Sequence, residues 1–71
     1  MTVFTQPLTD EERQEIIDDL ADTREMRSRC RGELHRQRQA GTATDSSVWK
    51  LERVINACSI WIERYEKVLA A

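Results

Sequence analysis

The tightest constraint on this chain is an alternation of apolar residues near its C-terminal end. Val48, Leu51, Ile55, Cys58, Ile62, Tyr65 and Leu69 follow one another at steps of three and four. That spacing keeps one stripe of an α-helix facing a partner helix. Ile16, Leu20, Thr23, Arg27, Cys30, Leu34 and Gln37 repeat the same alternation earlier in the chain. Between the two stripes lies the break Ala40-Gly41-Thr42-Ala43-Thr44. If the chain turns back there, Gln37 meets Val48, Leu34 meets Leu51, Cys30 meets Ile55, Arg27 meets Cys58, Thr23 meets Ile62, Leu20 meets Tyr65 and Ile16 meets Leu69. The residue numbers of every pair add to 85, as one fixed antiparallel register requires. The expected fold is all-α, an antiparallel two-helix hairpin.

The boundaries follow from capping chemistry. Residues 1–8 read as an extended leader, since Pro7 disfavours helix in the residue before it. Thr9-Asp10-Glu11-Glu12 is a capping box, with three acids at the positive end of the helix dipole. The spacing predicts a first helix over about 10–39, a loop over 40–45 and a second helix over about 46–69. Gly41 suits the C-terminal cap, and Thr44 or Asp45 can cap the next start. With two Gly and one Pro in 71 residues, the chain lacks the turn residues of a many-stranded sheet. No apolar run approaches the roughly 20 residues needed to cross a bilayer. The N-terminus does not read as a signal peptide and the two cysteines read as thiols, so a cytoplasmic protein is expected.

Thr23, Arg27 and Gln37 are polar at seam positions. For Arg27 the favoured reading is that its methylenes lie along the seam with the guanidinium in water; the other is a charge partner on a second chain. The second helix also has more apolar surface than a hairpin can cover. Val54, Trp61 and Val68 widen its stripe, while Trp49 and Ile60 sit on roughly the opposite side, joined through Arg53 and Asn56. Chains this small seldom hold more than about 3–5 kcal/mol of stability without a staple or a partner.

Charge placement points to that partner. Residues 10–22 hold seven acids (Asp10, Glu11, Glu12, Glu15, Asp18, Asp19, Asp22) and one base, Arg13. Residues 24–38 hold six arginines (Arg24, Arg27, Arg29, Arg31, Arg36, Arg38) and two acids, Glu25 and Glu33. The second helix is balanced and so reads as a poor complement. A second copy of the first helix, running antiparallel, puts acid on base twice about a two-fold axis. A homodimeric four-helix bundle is therefore expected, with Ile16, Leu20, Arg27, Leu34, Leu51, Ile55, Trp61, Ile62 and Tyr65 as its core and dimer residues.

No catalytic constellation is legible. His35 has no ligand partner at zinc spacing, and no metal or cofactor is expected. Cys30 and Cys58 read as small hydrophobes in the seam. The many carboxylates lie on an exposed acidic half with nothing to desolvate them, so an enzyme is not expected. Arg24, Arg31 and Arg38, seven residues apart, form a stripe that could track phosphates. The net charge of -2 and the acidic half oppose that, which leaves nucleic-acid binding as the minority reading. Trp49, Arg53, Asn56 and Ile60 have the composition of an interface hot spot, unless Val3 and Phe4 of the leader cover Trp49.

A capped acidic helix, an Arg-rich half, a Gly-Thr turn and the second helix VWKLERVINACSIWIERYEKVL together resemble small phage-encoded helical proteins of the quorum-sensing anti-activator type. The resemblance covers the whole chain as a layout. It implies a small helical protein that binds and disables a host regulator in the host cytoplasm. The expected function is thus a non-enzymatic protein-binding module inhibiting a transcription factor or motor ATPase. The alternatives are a nucleic-acid adaptor using the arginine stripe and a structural virion component.

Overall fold

The computed structural model describes residues 7–71, and within them the chain forms two helices that pack against each other. Helix α1 spans Asp10–Ala40 and helix α2 spans Asp45–Ala70. Both expected helices are present, each with bounds within one residue of those read from the sequence. Pro7 and Leu8 precede α1 without regular structure; the rest of the leader, including Val3 and Phe4, lies outside the described residues.

The ends form for local chemical reasons. Thr9 Oγ1 accepts from the Glu12 N–H at 3.1 Å, and Glu12 Oε1 accepts from the Thr9 N–H at 3.1 Å. At the other end Gly41 adopts φ 70°, a left-handed conformation that a side chain would strain. Its N–H donates to the Arg38 carbonyl at 3.3 Å, and the Thr42 N–H donates to the Gln37 carbonyl at 2.9 Å. This pair of bonds closes α1 as a Schellman motif. Thr44, rather than Asp45, caps α2, in a second reciprocal box with Ser47.

Burial follows the two stripes. Leu20, Leu34, Cys58 and Ile62 are buried, and the other ten seam residues are half-buried. Arg27 is half-buried as expected, but its guanidinium is not simply in water: Nη1 donates to Ser59 Oγ on α2 at 3.3 Å. Thr23 satisfies its hydroxyl on the Asp19 carbonyl at 2.7 Å. Gln37 donates to Glu33 at 3.2 Å, while its Oε1 is buried with no partner among the described residues. Trp61, expected among the core and dimer residues as part of the apolar surface a hairpin cannot cover, is 49% exposed in the hairpin. Its position beside the stripe, one residue before Ile62, turns the indole out along a flank that α1 borders without covering.

The molecule measures 53 × 26 × 14 Å. Its shortest dimension is close to the diameter of one helix, about 10–12 Å. The hairpin is thus a single layer with two broad faces.

Candidate protein-docking surface

The two faces differ chemically. On the first, Arg24 Nη2 meets Glu66 Oε1 at 2.9 Å and Arg38 Nη2 meets Glu52 Oε1 at 3.4 Å. These pairs lie in the same register, two heptads apart, and both bridge α1 to α2. The expectation that α2 is a poor electrostatic complement of α1 is corrected here. Its acids are few, but Glu52 and Glu66 stand opposite the arginine stripe, and position matters more than the total. Arg31, midway along the stripe, has Ser59 in the corresponding place and makes no ion pair among the described residues. Two members of the proposed phosphate-tracking stripe are therefore engaged within the chain.

Other charges are satisfied within their own helices. Arg29 pairs with Glu25 at 2.5 Å, as the i,i+4 spacing predicts. Glu33 pairs with Arg36 at i,i+3 spacing. Arg13 Nη1 donates to the Leu69 carbonyl at 3.5 Å, placing a cation at the negative end of the α2 dipole.

The second face is an open groove running the length of the hairpin. At its middle lies a depression of about 630 Å³ whose apolar lining includes Met26, Val54, Ala57, Trp61 and Tyr65. It continues toward the chain ends past Ile16 and Val68, and toward the loop past Cys30 and Leu51. Met26 is 53% exposed, and Val54 and Val68 are exposed as well. Arg64 lies over the Trp61 ring at 5.2 Å, and Tyr65 packs beside it at 5.7 Å between centroids. Met26 escaped the sequence reading because it is off the seam spacing. Its place next to Arg27, on the side away from the arginine stripe, is the signal that could have found it.

The third feature is the ridge of α2 that faces away from α1. Trp49, Glu52, Arg53, Asn56, Ala57 and Ile60 surround a shallow depression of about 390 Å³ there. Trp49 is 59% exposed and Ile60 51% exposed. The Arg53 guanidinium lies over the Trp49 ring at 5.3 Å, a cation–π contact that holds the indole without burying it. Trp49, Arg53, Asn56 and Ile60 are thus brought together as their helical spacing predicts. They are separate from Arg24, Arg31 and Arg38, which belong to the salt-bridged face. Trp49 also borders the groove, so ridge and groove meet at its ring.

Both cysteines are free thiols, Cys58 buried and Cys30 half-buried. Among the described residues no cluster of three or more His, Cys, Asp or Glu is placed to hold a metal ion. None of the described helices is long and apolar enough to cross a membrane. No family model matches the chain, and no curated protein or solved structure is significantly similar to it.

Proposed function

We propose that the chain is a non-enzymatic protein-binding module that works as a homodimer and docks on another protein through the ridge Trp49, Arg53, Asn56 and Ile60. The observation that carries this reading is the exposure of Trp49 and Ile60 on the outer side of α2, with Arg53 stacked on the indole. A large rigid aromatic, a planar cation and an aliphatic neighbour are the side chains that dominate binding energy at protein interfaces. They suit a partner offering an apolar pocket with a carboxylate at its edge. The layout resemblance to phage anti-activators supports a host regulator, a transcription factor or motor ATPase, as that partner, with inhibition following from occlusion of its working surface in the host cytoplasm.

The test uses the whole tagged chain as bait in a bacterial lysate, followed by titration of each captured protein in purified form. The reading requires saturable binding that Trp49→Ala and Ile60→Glu each weaken at least tenfold, while Arg31→Ala leaves it unchanged. Binding that survives both ridge substitutions contradicts it, as does salt-sensitive DNA binding lost in Arg31→Ala.

A further inference from the structure

The groove face has a property that the ridge lacks: its α1 edge is oppositely charged at its two ends. Along the α1 edge, helical spacing puts Glu12, Glu15, Asp19 and Asp22 on the groove side near the chain termini. Toward the loop the same edge carries Arg29 and Arg36, interrupted by Glu33; the α2 edge is basic at both ends, with Lys50 and Arg53 toward the loop and Arg64 and Lys67 toward the termini. The apolar centre (Met26, Val54, Ala57, Trp61) lies near the midpoint of both helices. Along α1 this is an apolar middle between an acidic end and a basic end.

We infer that the groove is the self-association face, occupied by a second copy of this chain related by a two-fold axis passing near Met26 and Ala57, perpendicular to the helices. The inference rests on the homodimer of the proposed function and names the surface that forms it. Such an axis lays α1 antiparallel on the partner's α1 and α2 antiparallel on the partner's α2. The acidic half of each α1 edge then lies over the basic half of the other copy's α1 edge, twice. An axis along the helices instead lays α1 on the partner's α2 and stacks the basic loop ends of the two copies, Arg29 and Arg36 over Lys50 and Arg53. The small side chain of Ala57 lets the two α2 helices approach closely, so that Trp61 of each copy reaches the depression beside the other's Val54. A single 14 Å layer becomes a two-layer bundle, the arrangement by which helices ordinarily bury an apolar face. The salt-bridged face and the outer part of the ridge, Asn56 and Ile60, remain outside the contact, while Trp49 and Arg53 border it.

The test measures molar mass and dimer dissociation constant by sedimentation equilibrium, with helical content followed by circular dichroism. Val54 is exposed in the hairpin, so Val54→Glu keeps the helices while disrupting the groove. The expected result is a wild-type dimer, a largely monomeric Val54→Glu chain, and unchanged dimers for Ile60→Glu on the ridge and Ile17→Glu on the other side. Orientation is tested by charge reversal. The double variant Glu15→Lys/Asp19→Lys and the double variant Arg29→Glu/Arg36→Glu, all on α1, each dimerise at least tenfold more weakly alone, and an equimolar mixture restores association. A dimer that survives Val54→Glu but dissociates in Ile60→Glu or Ile17→Glu overturns the groove assignment and leaves the homodimer standing. A dimer lost in Val54→Glu but indifferent to both charge reversals overturns the antiparallel arrangement. A wild-type monomer, or an open assembly larger than a dimer, overturns the inference and the homodimer together, while ridge docking is decided separately by its own titration.

Discussion

Arg24 and Glu66 are in contact at 2.9 Å across the hairpin, though they are 42 residues apart in the chain. Arg38 and Glu52 repeat the contact near the loop. These rungs fix which face of α1 lies beside which edge of α2, and so leave the other face open. Both partners of each pair are about half exposed, so each contact is screened and worth only about 0.2–1 kcal/mol. Their role is more in specifying the register than in strengthening it.

The missing middle rung gives a first prediction. Arg31 occupies the place between Arg24 and Arg38, and Ser59 occupies the place between Glu52 and Glu66. Ser59→Glu should raise stability by about 0.5 kcal/mol, measured by chemical denaturation. Part of the gain comes through Arg27, which already reaches the Ser59 hydroxyl. A double-mutant cycle with Arg31→Ala should recover the rest as coupling. No coupling means that the register places Arg31 elsewhere.

The seam supplies a second prediction. Leu34 is 7% exposed and Ile62 5% exposed. Truncating either to Ala should cost about 2–4 kcal/mol, comparable with the whole stability of a chain this size. Gln37→Leu should act oppositely. It removes a buried, unpartnered amide oxygen and adds apolar contact toward Val48, for a gain of about 0.5–1 kcal/mol despite the lost bond to Glu33.

The caps make a third. Gly41→Ala forces a side chain into the left-handed region and should cost about 1 kcal/mol, although open space surrounds the Cβ position. Thr9→Ala and Thr44→Ala should each cost about 1 kcal/mol, with the helix content of the folded state almost unchanged. A thermal melt of the three variants checks the order of magnitude.

The thiols provide a fourth. Cys58 is 4% exposed and Cys30 is half-buried. A thiol reagent under native conditions should therefore modify Cys30 well before Cys58, which should react only as the chain unfolds. Equal rates at both sites contradict the seam.

The sequence made the register legible because a seam is periodic. All seven expected pairs consist of buried or half-buried residues, including Thr23, Arg27 and Gln37, whose polarity argues against burial. The cross-hairpin charges were less legible. Adding up acids and bases along α2 gives a balanced helix and hides that Glu52 and Glu66 share the edge facing the arginine stripe. Trp61 was read beside the seam, in apolar surface a hairpin cannot cover, and it is half exposed there. Met26 went unnoticed, since its neighbours across the groove become apparent only once the helices are paired. The ridge was easier, because Trp49, Arg53, Asn56 and Ile60 are neighbours on one helix and require no tertiary information.

The proposed dimer requires that a one-layer hairpin with an open apolar face does not stand alone. The most direct measurement is molar mass by light scattering across a dilution series of the wild-type chain, with circular dichroism at each concentration. The account predicts twice the 8.3 kDa chain mass at high concentration, and a melting temperature that falls on dilution as the pair separates. A folded particle of 8.3 kDa at every concentration, with a melting temperature indifferent to dilution, contradicts it.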